Sequence, residues 1–139
     1  MKTTVTYLII SLFFSLASYA SNGKTKVLTN LIDNVKECIL VDSKTLTPRE
    51  RIVYTYDNND LTIERISYLW DKAQGWKAFQ KHEYKYISNE LAMYIYTKWD
   101  RKSNDWSAQS LFIAPHYNAA GKLLIVNKTY IKNNLRAEK

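Results

Sequence analysis

Apolar and polar residues alternate along most of the chain, which is the pattern of β-strands with one covered and one solvated face. Valine, isoleucine, threonine and tyrosine dominate these stretches, and polar turn residues separate them. The pattern predicts seven long strands, at residues 35–42, 49–57, 61–71, 76–87, 91–100, 106–117 and 123–131. The links between them are short, and short links join antiparallel neighbours. We therefore predict an all-β fold, an antiparallel meander of hairpin repeats that forms an open sheet or a barrel.

The alternation also predicts which side of a strand is covered. Trp76, Tyr84 and Tyr86 are separated by even numbers of residues, so a regular strand directs all three side chains to one face. The lysines that alternate with them fall on the opposite face: Lys77, Lys81 and Lys85. We predict that the aromatic face of this strand is covered and that its lysine face is solvated.

A unit of about thirty residues recurs along the chain. Asp42, Asp71 and Asp100 are spaced by 29 residues each time, and Trp70 and Trp99 directly precede the last two. The recurrence predicts a fold built by repeating one strand–turn–strand–loop unit. Aspartate at the start of a loop is mostly a turn former, and each loop offers too few oxygen atoms for calcium, so we assign no metal site.

The spacing within the repeat is irregular at one place. Leu61 and Trp70 are nine residues apart, whereas Leu91 and Trp99 are eight apart. In two regular strands, the odd and the even separation would place the two tryptophans on opposite faces. We predict a β-bulge between residues 63 and 68 instead, because it keeps both large apolar rings on the same side.

Two segments, residues 56–61 and 117–123, place a tyrosine before a polar turn and a leucine after it. They resemble the tyrosine–aspartate hairpin repeats of large secreted bacterial shell proteins. With the Trp-Asp pairs, short loops and second tryptophan of each unit, the pattern from Val35 to Ile131 resembles a family of small exported Bacteroides-type proteins of unknown function, the domain of unknown function 3836 (DUF3836) proteins. The resemblance implies an all-β secreted protein and implies no activity.

The N-terminal residues have the composition of an export signal. Lys2 supplies a positive start, residues 8–17 are apolar, and Ser18 and Ala20 are small residues at the two positions that signal peptidase reads. We predict a signal peptide at residues 1–20, a polar lead-in of short helix or irregular structure at 21–34, a single domain at 35–132 and a tail at 133–139. The protein is then periplasmic or extracellular, without stable membrane insertion once the signal is removed.

The net charge of the chain bears on which partners it could bind. The full chain has a formal net charge of +7, with both signs interspersed, so solubility is the default role of its basic surface. Export argues against nucleic acid as a partner.

Cys38 is the single cysteine and cannot form an internal disulfide. Because it follows the alternation of its strand beside Ile39, we predict a buried and unreactive thiol.

Catalytic chemistry finds little support in the chain. His82 and His116 are the two histidines, and both fall in predicted strands without a repeated partner. No serine or cysteine lies in a local nucleophile signature, and the 3 glycines form no phosphate-binding loop. We therefore predict a non-catalytic protein without a cofactor, and rank a hydrolase third among the functional hypotheses.

The aromatic residues suggest the first hypothesis, because tyrosine and tryptophan on a sheet stack on sugar rings and offer a polar tip. It is an exported non-catalytic β-module that binds a glycan or an envelope partner through an aromatic sheet face. The candidate ligand-binding residues are Trp70, Trp76, Trp99, Trp106, Tyr94 and Tyr96. Filling cross-strand positions is the more frequent role of such residues. The alternative function is a structural or assembly protein whose strand edges pair with another chain.

Overall fold

The computed structural model describes residues 24–132, and these residues form strands, turns and loops without a helix. The strands are β1 (Thr25–Ile32), β2 (Val35–Asp42), β3 (Pro48–Tyr56), β4 (Thr62–Asp71), β5 (Gly75–Ile87), β6 (Glu90–Asp100), β7 (Asp105–Trp106), β8 (Gln109–Tyr117) and β9 (Leu123–Lys132). No helix among these residues could cross a membrane. The signal peptide predicted at 1–20 and the tail predicted at 133–139 lie outside the described residues.

All nine strands belong to one antiparallel sheet, in the order β1-β2-β3-β4-β5-β6-β8-β9, with the short β7 paired to β6. Apart from the short β7, each strand therefore pairs with the strand before it and the strand after it, which short turns dictate. The sheet is open, with β1 and β9 as its two edges. The predicted antiparallel meander is confirmed, and the open form is the one adopted.

The segment predicted as a short helix or an irregular lead-in forms strand β1 instead. Ile32 pairs with Val35 around a two-residue turn, in which Asp33 has a φ of 52°. The Asn34 amide donates to the carbonyl of Tyr56 at 3.0 Å, which ties the turn to β3. Apolar residues four apart satisfy both helical and strand periodicity, and the polar turn decides in favour of the hairpin.

The three repeated aspartates build the same turn three times. The Oδ1 atoms of Asp42 and Asp71 each accept two backbone N–H groups of their own loop at 2.9–3.0 Å. Asp100 accepts one backbone N–H at 3.0 Å and the hydroxyl of Ser103 at 2.9 Å. Backbone hydrogen bonds hold the pKa of all three carboxyl groups below the ordinary value. These carboxylates therefore serve the turns, and residues 24–132 bring no group of three or more metal-ligating side chains together.

The fourth residue after each aspartate has a positive φ, and the residues there are Leu46 (56°), Gly75 (78°) and Asn104 (52°). Leucine is the poorest fit, because its Cβ costs roughly 1–2 kcal/mol in the left-handed region. Glycine removes this cost, but its greater entropy in the unfolded chain offsets part of the gain, so we expect Leu46→Gly to raise the free energy of unfolding by about 0.5–1 kcal/mol. Urea denaturation measures the change. The control Leu46→Ala removes the same exposed side chain but keeps Cβ, and an equal gain there would contradict this explanation.

At the opposite end of the sheet, each of three hairpins has a tyrosine pair near its turn, and a one-residue bulge follows this pair in the return strand. The pairs are Tyr56–Thr62, Tyr86–Leu91 and Tyr117–Leu123, and the bulged residues are Ile63, Ala92 and Leu124. Thr62, rather than Leu61, is therefore the structural equivalent of Leu91. Thr62 and Trp70 are eight residues apart, as are Leu91 and Trp99, because the extra residue lies in the turn before Thr62.

Trp70 and Trp99 lie on the same face, as the bulge prediction required. A bulge does occur at Ile63, but β6 has the same bulge at Ala92, so the bulge is not what distinguishes the two strands. The prediction was right about the shared face and wrong about its cause.

A further bulge in β5 overturns the predicted faces of that strand. Ser67 pairs with Gln80 and the next residue of β4 pairs with Ala78, so Phe79 is the extra residue. The bulge reverses the alternation, and Trp76 consequently lies on the face opposite to Tyr84 and Tyr86. Lys77 changes sides with it and leaves the face of the later lysines. The prediction that Trp76 shares a covered face with the two tyrosines was therefore wrong.

The register divides the aromatic residues between the two faces of the sheet. The tryptophan face carries Tyr68, Trp70, Trp76, Trp99 and Trp106. The tyrosine face carries Tyr54, Tyr84, Tyr86, Tyr94 and Tyr96, together with His82. The core lies on the tyrosine face, where Tyr84, Leu91 and Tyr94 are buried against one another. The four tryptophans lie on the opposite face, and each is at least partly exposed.

Candidate binding surface on the tryptophan face

The four tryptophans lie on four successive strands. Trp70 of β4 pairs with Trp76 of β5, and Trp99 of β6 pairs with Trp106 of β7, each pair next to an aspartate turn. The ring centroids are 5.0 Å apart at an interplanar angle of 69° in the first pair and 5.1 Å apart at 88° in the second. Because neighbouring strands are about 4.8 Å apart, the four positions extend over about 14 Å across the sheet. They form a row long enough for an extended ligand.

None of the four indoles is buried. Trp70 is 36% exposed, and the other three are half-buried. The edge-to-face geometry places the edge of one ring against the face of its partner, which is a favoured arrangement of two aromatic rings. It leaves part of each pair open to solvent, so the surface combines fixed ring orientations with accessible apolar area.

Charged side chains lie directly against these rings. The Arg51 guanidinium stands over the Tyr68 ring at 5.2 Å and is paired with Glu37. The Lys81 ammonium stands over the Trp106 ring at 5.2 Å and lies 3.8 Å from a carboxylate oxygen of Glu83. Each cation therefore has an acidic neighbour on the same face. The face offers hydrogen-bond donors and acceptors beside the rings without a dominant charge of one sign.

Tyr94 and Tyr96 are separated from the tryptophans. Both lie on the tyrosine face, where Tyr94 is 5% exposed and Tyr96 donates its hydroxyl to Gln80 Oε1 at 3.2 Å. Burial raises the pKa of the Tyr94 hydroxyl far above its ordinary value. The six predicted ligand-binding residues therefore do not form one surface. The structure brings the four tryptophans together and places Tyr94 in the core.

His82 is enclosed on the tyrosine face. Its Nδ1 is hydrogen-bonded to the Tyr94 hydroxyl, and its ring centroid lies 5.1 Å from that of Tyr96. Burial and, to a smaller extent, the positive charge of Arg65 together lower the pKa of the imidazole to about 4. A histidine with 4% of its surface exposed does not contact a solute, so it serves the packing of this face.

Sequence reasoning missed several residues that shape the two faces. Tyr68 and Lys81 belong to the tryptophan face, and the even separation of Tyr68 from Trp70 was a usable signal. Arg65 lies on the tyrosine face with its guanidinium 5.9 Å from the Tyr54 ring centre. Burial raises the pKa of Glu50 nearby, against the opposing effect of Arg65. Strand alternation alone does not signal such a half-buried charged pair.

Cys38 is half-buried rather than buried. It lies on β2 beside the edge strand β1, where its Sγ is 3.9 Å from the Thr29 hydroxyl. Only one strand, β1, separates β2 from the edge of the sheet, so Cys38 has fewer neighbouring strands than a residue at the centre of the sheet. The prediction of a fully buried thiol was therefore wrong.

The chain matches no protein-family model and no curated protein. Its fold is similar to that of solved structures from Bacteroides species. A DUF3836 family protein from Bacteroides vulgatus is 14% identical, with a TM-score of 0.50 over 76% of this chain and 98% of that chain. A protein of unknown function from Bacteroides fragilis is 15% identical, with a TM-score of 0.51 over 86% of this chain and 90% of that chain. The likeness is one of fold, and it confirms what the resemblance predicted: the chain has the architecture of the DUF3836 family proteins.

Proposed function

We propose that the protein is an exported, non-catalytic β-module that binds a glycan through its tryptophan face. The observation that carries the proposal is the clustering of Trp70, Trp76, Trp99 and Trp106 on one side of the sheet, with none of them buried. Sugar rings present C–H surfaces that pack on indole rings, while their hydroxyls need polar partners nearby. Lys81 stands over the Trp106 ring and Arg51 over the Tyr68 ring of the same face, and both supply such donors.

The shape of the surface favours an extended glycan over a single sugar. Four tryptophans on four neighbouring strands give stacking positions over about 14 Å. Two rigid turns, at Asp71 and Asp100, fix the ends of the strands that carry them. A surface whose rings are held before binding loses little side-chain entropy when the ligand arrives.

The non-catalytic part of the proposal rests on the two histidines. His82 is buried and hydrogen-bonded to Tyr94, and His116 lies on β8 with its Nε2 3.1 Å from the Asn127 amide. Neither lies among the tryptophans. The histidines therefore supply no general acid or base to this surface, and its two carboxylates beside the rings, Glu37 and Glu83, are paired with Arg51 and Lys81.

The tryptophan pairs also stabilise their hairpins, because cross-strand aromatic pairs add roughly 0.5–1.5 kcal/mol beyond area burial. That role and ligand binding are compatible, since an edge-to-face pair still presents ring surface to solvent. Assembly through strand edges is the second candidate function, and the exposed apolar residues of β1, among them Val27 and Leu31, favour it. The two functions use different parts of the sheet.

A glycan array probed with the processed protein tests the proposal. We expect binding to a set of related glycans. Trp70→Ala should weaken that binding at least tenfold, which corresponds to a loss of about 1.4 kcal/mol or more of binding free energy. The matched control is Tyr130→Ala, because Tyr130 is also an exposed aromatic residue but lies on the other face, at the β9 edge. Array binding that Trp70→Ala leaves unchanged, or no binding to any glycan, would contradict the proposal.

A further inference from the structure

The edge strand β1 presents an unusually apolar free edge. Val27 is 54% exposed and Leu31 is 63% exposed, and Leu28 and Ile32 are exposed on the other face of the strand. Natural proteins usually protect such an edge with charged residues, proline or a bulge. Lys26 is the single charged residue of β1. The strand pairs with β2 without a bulge.

The opposite edge, β9, is built differently. It carries Lys128 and Lys132 along its length and a bulge at Leu124. These are features that discourage pairing with another strand. Of the two edges of the sheet, β1 is therefore the one suited to accept a further strand.

The backbone of β1 also has hydrogen-bonding groups directed outward. The carbonyl of Lys24 accepts the Ser43 N–H at 2.7 Å, so even-numbered residues of this strand direct their backbone groups towards β2. In an antiparallel ladder the direction alternates from residue to residue. Thr25, Val27, Thr29 and Leu31 therefore direct their N–H and C=O groups to the free edge.

We propose that two copies of the protein pair through β1, antiparallel, about a two-fold axis that passes through Thr29. In this register Thr29 faces Thr29 and Val27 faces Leu31 of the other copy, so apolar residues meet apolar residues on the tyrosine face. Asp33 of each copy lies opposite Thr25 and between Lys24 and Lys26 of the other. The outward groups form about six new backbone hydrogen bonds.

The neighbouring registers match less well. Centring the axis on Leu28 places Val27 against Thr29 and Leu31 against Thr25, and it moves Asp33 away from Lys26, so that only Lys24 stays beside it. Centring it on Asn30 places Val27 against Asp33. The self-complementary charge and apolar pattern about Thr29 is what identifies the partner as a second copy of this chain.

The two-fold axis is perpendicular to the sheet, so both tryptophan faces lie on the same side of one continuous sheet. The dimer does not depend on glycan binding for its existence. If the tryptophan face binds a glycan, the dimer presents two equivalent surfaces side by side, and a long glycan gains avidity from both. The failure of one proposal therefore leaves the other standing.

Sedimentation equilibrium of the processed protein tests the dimer. We expect a reversible monomer–dimer equilibrium, with Thr29→Pro and Thr29→Lys each weakening it at least tenfold. Proline at this position removes an outward N–H and leaves the ladder to β2 intact, and lysine opposes two like charges on the axis. Circular dichroism confirms that each variant is folded. The control Tyr130→Lys introduces the same charge on the β9 edge and should leave the equilibrium unchanged.

Cysteine cross-linking tests the register. In a Cys38→Ser background, Thr29→Cys should give a disulfide-linked dimer, because residues facing each other in a ladder have Cα atoms about 5.5 Å apart. Val27→Cys alone should not cross-link, but mixing it with Leu31→Cys should. A monomer at all concentrations, a dimer that survives both Thr29 variants, or self-linking of Val27→Cys in place of Thr29→Cys would overturn the proposal.

Discussion

We expect acidification from pH 6.5 to pH 4 to lower the free energy of unfolding by up to about 3 kcal/mol through His82 alone. In the folded protein burial lowers the pKa of His82 to about 4, against an ordinary value of 6.5. That difference corresponds to about 3 kcal/mol at 1.36 kcal/mol per tenfold change in proton affinity. The unfolded chain binds the proton first as the pH falls, so the folded state loses stability below pH 6.5. The contribution is fully present above pH 6.5.

The measurement is the free energy of unfolding in urea at pH 7, 5.5 and 4 for three proteins. His82→Gln keeps a side chain able to hydrogen-bond Tyr94 and removes the titration, so we expect a flatter pH dependence between pH 6.5 and 4. His116→Gln is the matched control, because His116 is exposed on β8. Carboxyl groups also titrate in this range, and the difference between the histidine variant and the parent protein isolates His82. Equal slopes for all three proteins would show that His82 is not enclosed.

Replacing Tyr94 has the largest expected effect on stability without any change in pH. Tyr94 is 5% exposed, packs against Tyr84 at a centroid distance of 5.4 Å and is hydrogen-bonded to His82. Truncating a buried aromatic residue to alanine costs about 3–5 kcal/mol, because it removes buried apolar area and leaves a cavity. For a domain of this size, such a loss approaches the whole free energy of folding. We therefore expect Tyr94→Ala to be largely unfolded at 37 °C.

Two further variants separate the causes of that loss. Tyr94→Phe keeps the ring and removes the hydroxyl, so it should cost about 1–2 kcal/mol for the lost hydrogen bond to His82. Tyr130→Ala removes the same type of side chain from a position that is 73% exposed and should change stability by less than about 0.5 kcal/mol. Thermal and urea denaturation give all three values. Comparable losses for Tyr94→Ala and Tyr130→Ala would contradict the placement of the core on the tyrosine face.

Much of the fold could be predicted from the sequence, because the alternation within strands and the short links between them agree with the sheet that forms. Period-two alternation located the long strands, and short polar links required antiparallel pairing. The single strand predicted at 106–117 was wrong in one respect, because the structure divides it into β7 and β8. The spacing of Asp42, Asp71 and Asp100 identified three equivalent turns, which the hydrogen bonds of their carboxylates explain. Strand β1 was missed because its apolar spacing of four residues fits a helix as well as a strand.

The faces of the sheet were harder to predict, because one unpaired residue reverses every side chain beyond it. The bulge at Phe79 places Trp76 and Tyr84 on opposite faces, and the local sequence contains no feature that predicts the bulge. The turn before Thr62 holds one residue more than its counterpart, and an alignment on leucines assigned that residue to the strand. Register depends on pairing between strands, which one strand's sequence does not contain.

The candidate site was predicted in part. All four tryptophans lie on one face, whereas Tyr94 and Tyr96 lie on the other. Tyr96 and Trp99 are three residues apart, and that odd separation was sufficient to place them on opposite faces of β6. Exposure was not predictable from spacing, because it depends on which face packs the core.

The most direct test of the account is to titrate the uniformly ¹⁵N-labelled protein with a soluble oligosaccharide selected on the glycan array and follow its ¹H–¹⁵N spectrum. We predict that the indole N–H signals of the tryptophans and the backbone amide of Tyr68 shift together and saturate. The side-chain amide of Gln80, which lies on the tyrosine face beside Tyr96, should not move. Shifts concentrated on the tyrosine face or along β1, with the indole signals unchanged, would contradict the claim that the tryptophan face is the binding surface.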